Sequence, residues 1–390
     1  MKKVIYLVIL SLLWFNFFDF RLLNIPDDMR FILIWVYLVV GAICAKSKLM
    51  FCHPNRYFLW VMAGIFFSMI PAYLYYEQSF LQSIITYRFQ YYLFAIPILF
   101  IIAPAKEEVI KALNILSILM FVVFVVKNLS PYLFILPETV EESSVWAVEG
   151  YSLIAIPFYY ALQELKEHFN LKSLLFAFFL LCFMYLMARR SMLFPMAILM
   201  VFTLLKIRSK YKPLLLFFLA LVIGYGIYMT IGTWTSLIEE TMTQLMDSEY
   251  NRNKAYNYFL FEASPNWVCV LFGNGFLSAH TTSLMQDMME LGVHNSDLGF
   301  IGYWNQFGLI PVITMLYMYI KALLKVEYPY FLKLIAIHTL ICGFTISYFA
   351  AVMHMLSFIF FYYLFVLYSK GTEPKKIKYS RNSLIYITKR

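Results

Sequence analysis

His294 and Asn295 stand just ahead of an apolar run, in LGVHNSDLGFIGYWNQFGLIP, where the longest hydrophilic stretch of the chain closes. An imidazole there can act as a general base or a hydrogen-bond donor. It can equally be structural, because Asn295 and Ser296 suit a helix N-cap and Asp297 its first turn. Arg189-Arg190 fill a short junction between the apolar runs LLCFMYLMA and SMLFPMAILM. Such a pair either anchors a helical hairpin by snorkelling or forms an anion site, since guanidinium groups bind phosphate oxygens in bidentate fashion. Arg88, in ITYRFQYY, divides evenly between anchor and ligand. Arg252 lies in a segment holding Glu239, Glu240, Asp247, Glu249, Glu262, Asp287 and Glu290, with Lys254 as the other cation. By residue type alone it reads as a salt-bridge partner. Asp27-Asp28 could bind a metal or act as a base, although a solvated loop pair is the favoured account. In FGNGF, Gly273 and Gly275 suggest a tight turn at positive φ rather than a nucleotide loop. His280 reads as an ordinary loop residue.

The elements that must position these residues are membrane helices. Of the 390 residues, 62% are hydrophobic and only 14% are charged, against about a quarter charged in a soluble domain. Apolar runs of about 20 residues recur along the chain, as transmembrane helices require. The net charge of +9 therefore bears on membrane orientation, and no nucleic-acid partner is expected. Cys182 and Cys342 fall inside apolar runs, Cys44 and Cys52 flank one short loop, and Cys269 stands alone in the long loop. They form neither a disulfide framework nor a zinc spacing. The opening MKKVIYLVILSLLWFNFF lacks a small-residue cleavage site and reads as an uncleaved first helix.

The pattern predicts an all-α integral membrane fold of about twelve spans, at roughly 4–20, 30–45, 57–75, 88–104, 110–127, 148–162, 171–188, 190–206, 213–232, 297–320, 331–348 and 350–368. With the N-terminus in the cytoplasm, Arg21, Arg30, Arg88, Lys127, Arg189, Arg190, Arg252 and Lys254 fall on the outer face. All the other Lys and Arg, out of 31, fall inside. That bias supports both termini being cytoplasmic. A long outer loop, about 233–296, separates the ninth and tenth spans. Residues 1–370 form one membrane domain and 371–390 a basic cytoplasmic tail, with no repeat or flexible linker between them.

In this order, the residues resemble the O-antigen polymerase and O-antigen ligase superfamily of membrane glycosyltransferases. The resemblance rests on Arg190-Ser191 at an outer junction, a basic loop and a span, and then the long outer loop. That loop carries Arg252 ahead of an aromatic helix, Ser264-Pro265 and the FGNGF turn. His294-Asn295 then head a helix ending in Gly308 to Pro311. The match covers about residues 180–325, and the N-terminal half agrees only in hydropathy and span count. The resemblance implies a GT-C-like fold and metal-independent, cofactor-free, inverting transfer with a lipid diphosphate as leaving group. Arg190 and Arg252 would stabilise that diphosphate as charge develops, and His294 would orient or deprotonate the acceptor hydroxyl. Arg190 is favoured over Arg189 because Ser191 follows it. Arg189, Arg88 and Asn295 are expected to bind substrate.

The activity this implies is that of a polysaccharide polymerase, for O-antigen or capsule. It would move a glycan from undecaprenyl diphosphate to another lipid-linked repeat unit, on the outer face of the bacterial cytoplasmic membrane. The implied partners are that lipid-linked oligosaccharide, the bilayer, and a chain-length regulator and flippase of the same pathway. A ligase passing the glycan to lipid A core is the first alternative. A lipid-linked oligosaccharide flippase is another, and would call for mid-membrane charges and repeat symmetry that the spans do not display. A metal-dependent glycosyltransferase using Asp27-Asp28 is the third.

Overall fold

A computed structural model describes residues 2–45, 56–135, 148–187, 189–207, 212–213, 251–278, 288, 290–293, 298–344 and 352–369. They are mostly helical, and the only β pairing among them is one antiparallel bridge between Phe20 and Phe134. The N-terminal half comprises α1 (Lys2–Trp14), α2 (Asp27–Cys44), α3 (Arg56–Tyr76), α4 (Phe80–Ile102), α5 (Lys106–Leu129) and α6 (Ala155–Glu167). The remainder comprises α7 (Leu171–Leu186), α8 (Arg190–Lys206), α9 (Asn251–Asn257), α10 (Trp267–Phe272), α11 (Phe300–Phe307), α12 (Leu309–Leu324), α13 (Tyr330–Cys342) and α14 (Val352–Ser369).

Helices α3, α4 and α5, at 21, 23 and 24 residues, are long and apolar enough to cross a membrane. The 24 residues of α5 rise about 36 Å, enough for a hydrocarbon core of about 30 Å. Shorter apolar helices, α7, α12 and α13 among them, fill out the bundle. Their outer surfaces leave Val36, Val39, Val40 and Ile43 of α2 and Leu59, Trp60, Phe66 and Phe67 of α3 exposed. A water-soluble chain rarely leaves so continuous an apolar face uncovered. The inner faces interlock through aromatic side chains, including fully buried Trp14, Tyr87, Tyr92, Tyr159, Tyr303 and Phe307.

The charges segregate to opposite ends of this bundle. At one end Lys3 Nζ donates to Ala103 O (2.6 Å), and the Tyr363 hydroxyl donates to the neighbouring Pro104 O (2.7 Å). Lys106 lies over Tyr368, Lys166 over Tyr330 (3.7 Å), and Lys321 donates to the Tyr57 hydroxyl beside Arg56. Lys206 and Lys333 lie within electrostatic reach of Lys166. At the other end stand Arg30, Arg88, Lys127 and Arg189.

Three of the departures from the sequence reading of the helix boundaries bear on the site. The first helix stops at Trp14 instead of running to 20, because Asn16, Phe17, Phe18 and Asp19 all take positive φ (49°, 52°, 59° and 58°). Left-handed backbone costs L-residues about 1–2 kcal/mol each, so packing and side chains must hold this turn. Asn16 Oδ1 accepts the Ile25 N–H (2.9 Å), Asp19 O accepts the Ile135 N–H (2.9 Å), and Asn16 also bonds the Asn24 amide. The fourth span begins about eight residues early, at Phe80, where the Ser79 hydroxyl caps the Gln82 N–H. The tenth span is broken at Gly308 (φ 81°) into α11 and α12. The ninth span, most of the 233–296 loop and the 371–390 tail lie outside the described residues.

Candidate functional site

The FGNGF segment makes the turn its glycines suggest, with Gly273 at φ 82° and Gly275 at φ 87°. It fits into the break between α11 and α12. The Asn274 N–H donates to Asn305 O (2.7 Å) and the Gly275 N–H to Gln306 O (2.9 Å). These carbonyls end α11 and would otherwise lack partners. Asn274, only 1% exposed, donates from Nδ2 to Ala263 O and accepts the Tyr76 hydroxyl on Oδ1. The Tyr87 hydroxyl receives the Phe276 N–H, while Gln78 bonds both Phe276 O and the Ser278 N–H. The motif thus fastens the long loop to α3, α4 and the broken span, and it is structural.

The double arginine begins α8. The carbonyl of Arg189 accepts the N–H groups of Met192 and Leu193, fixing the helix start. Its guanidinium lies 4.9 Å from the Tyr151 ring centroid, and its buried Nε has no hydrogen-bond acceptor among the described residues. Tyr151 packs edge-on against His354 (4.9 Å). Polar groups continue inward from there: His354 Nδ1 to Ser152 Oγ (3.0 Å), and Ser152 Oγ to Ser357 Oγ (2.6 Å). Alongside, Cys342 Sγ contacts Ser191 O and His338 Nε2, and His338 Nδ1 meets the Tyr159 hydroxyl (2.8 Å). The arginine junction is the mouth of this buried polar file.

Arg190 opens α8 and Arg252 lies in α9, with both side chains outside the description; His294 and Asn295 are outside the described residues altogether. The expected diphosphate clamp and its histidine therefore lie outside what the structure describes. Arg88 is placed: Nη1 is 3.1 Å from Asp28 Oδ1, and its guanidinium stacks on Phe89. Asp27 pairs with Arg30 at 2.6 Å. The Asp27-Asp28 pair is thus engaged by Arg30 and Arg88. Among the described residues no group of three His, Cys, Asp or Glu could hold a metal.

A second charge cluster was not singled out in the sequence. Asp19, in the left-handed turn, and Glu149, ahead of α6, share electrostatic contact with each other, Arg30 and Lys127. Lys127 is 7% exposed at the end of α5. Burial, and then the charge of Asp19, pushes the Glu149 carboxyl up to about 7. Burial likewise raises Asp19, opposed by Lys127 and Arg30. The usable signal was that the predicted spans 4–20, 110–127 and 148–162 each enclosed one of these ionisable residues, and charge inside a span is costly. No protein-family model, curated protein or solved structure matches this chain.

Proposed function

We propose that this chain is a polysaccharide polymerase of the bacterial cytoplasmic membrane, with about twelve spans and both termini inside. It transfers a glycan from undecaprenyl diphosphate to a second lipid-linked repeat unit on the outer face. The observation that carries this reading is the arginine junction. Arg189 and Arg190 sit at the end opposite the Lys3–Lys106–Lys321 end, and Arg189 presents a buried Nε with no acceptor among the described residues. A lipid diphosphate entering from the bilayer supplies acceptors for such groups. In this scheme Arg190 and Arg252 stabilise the departing diphosphate and Arg189 helps bind it, while His294 orients or deprotonates the acceptor hydroxyl beside Asn295. The test is complementation of a polymerase-null strain with Arg190→Ala, Arg252→Ala and His294→Ala. Each is expected to reach the membrane and to yield no long polymer on a gel. Wild-type chain length in His294→Ala removes His294 from the site.

Two observations favour transport as the second reading, a span broken at Gly308 and the buried His338 and His354 elsewhere in the bundle, since broken helices and interior titratable groups line transporter sites. Vesicles holding the chain separate the two. A flippase moves fluorescent lipid-linked oligosaccharide across the bilayer without lengthening it, whereas a polymerase lengthens it.

A further inference from the structure

Residues 263–278 belong to the segment expected to be an extramembrane loop, yet they run down the side of α3 and return. The descent begins where the hydroxyl of Tyr76, the last residue of α3, donates to Ala263 O (3.3 Å). Asn266 then caps α10, its Oδ1 accepting the Val268 and Cys269 N–H groups (2.9 and 3.1 Å). At the foot of α10 the Phe272 ring packs edge-on against Phe67 (5.9 Å). The chain turns at Gly273, and Gly275 lies against Ser68 and Ala72. It climbs until the Ser278 N–H reaches the Gln78 side chain (2.8 Å), past the end of α3. The result is a hairpin with one helical and one extended arm.

Its depth follows from the helices beside it. Tyr57, held by Lys321, marks the opposite end of α3. At about 1.5 Å per residue, Phe67 stands about 15 Å from that end and Tyr76 about 29 Å. The foot of the hairpin thus reaches about the middle of a hydrocarbon core of about 30 Å. Along α12, Gly308, which abuts Leu271 and Phe272, lies about 20 Å from Lys321. The composition suits that depth, since residues 263–278 carry no charged side chain. So does the backbone: the N–H groups of Asn274, Gly275, Phe276 and Ser278 in the extended arm all go to protein acceptors. Non-helical backbone at membrane depth requires such pairing. One face of α10 nevertheless stays uncovered, with Trp267 69% and Leu271 39% exposed, one turn apart. It adjoins the exposed Phe66, Phe67, Ile70 and Leu74 of α3, a helix long and apolar enough to cross a membrane. We propose that residues 263–278 form a re-entrant hairpin in the leaflet opposite the Lys321 end, with the Trp267–Leu271 face of α10 packed on lipid acyl chains. The occupant of this face is bilayer hydrocarbon, because the face continues the apolar strip of α3 at a depth that water does not reach.

The experiment uses the full-length chain reconstituted into phosphatidylcholine vesicles and reads tryptophan fluorescence. Trp267→Phe removes one of seven tryptophans, so wild-type emission minus that of the variant is the Trp267 component. That component should lose most of its intensity when the acyl chains carry bromine, and keep it when iodide is added to the water. Quenching by iodide with none by bromolipid places the face in water and overturns the proposal. Resistance to both places protein over the face and overturns it equally. Leu271→Trp on the wild-type background adds a second component by the same subtraction, and serves alone if Trp267→Phe folds poorly. It should be quenched by bromolipid and spared by iodide. Being one turn further down α10, about 6 Å deeper, it should also respond more than Trp267 to bromines near the chain ends. The same depth profile at both positions means that α10 lies flat on the membrane surface, and the re-entrant hairpin falls.

Discussion

Gly308→Ala is the sharpest probe of how the long loop is fastened. A Cβ at this position would collide with Leu271 O and lie 2.5 Å from the carbonyl carbon and 2.6 Å from the Cα of Phe272. These are backbone atoms at the C-terminal end of α10 and cannot swing aside. The backbone at φ 81°, ψ −178° is also open essentially only to glycine, at about 1–3 kcal/mol for another residue. Overpacking adds about 1–3 kcal/mol, so the substitution should cost about 2–6 kcal/mol, a large part of a typical total of about 5–15 kcal/mol. The control is Gly292→Ala. It also changes a positive-φ glycine (65°), but none of the described residues lies within 4 Å of the added Cβ, so about 1–2 kcal/mol is expected. Both variants carry a fluorescent fusion and are heated in detergent, and the surviving monodisperse peak is read by size-exclusion chromatography. Gly308→Ala should collapse well below the control. Coincident curves would refute the seating of FGNGF in the broken span.

Other expectations follow from the same geometry. Asn16→Ala strips the acceptor from the Ile25 N–H and should destabilise the chain by about 1–3 kcal/mol in the same assay. Because Glu149 is raised from 4.5 to about 7 on folding, the folded state binds the extra proton, so stability should fall as pH rises through that window. Glu149→Gln should flatten this slope, which melting curves at several pH values would reveal. Arg88→Ala should shorten polymer far less than Arg190→Ala in the complementation gel, since Asp28 already pairs with Arg88.

The helical class was legible because apolar runs of membrane length leave little alternative. The hairpin around Arg189-Arg190 also emerged nearly residue for residue, since its charges interrupt two clean apolar runs. Gly273 and Gly275 announced their turn through composition alone. Where that turn docks was not legible, since Asn305 and Gln306 meet it through backbone carbonyls, which every residue carries. The left-handed turn was hidden for a similar reason. Nothing in NFFD breaks a helix locally, and the conformation depends on bonds from Ile25 and Ile135, reached only once the chain has folded. Asp19, Lys127 and Glu149 were visible as types, but their convergence is tertiary.

The plugged break in the tenth span constrains the order in which this protein can be assembled. Until residues 274 and 275 arrive, the carbonyls of Asn305 and Gln306, on residues buried in the bundle, would lack these donors, at a cost of about 1–3 kcal/mol each. The turn must in turn fit against Ser68, Ala72 and Tyr87, made some two hundred residues earlier. The segment around Gly308 is therefore a poor independent membrane insert. It can settle only as a late wedge into a bundle whose third and fourth helices already stand, which makes the loop before it a participant in insertion.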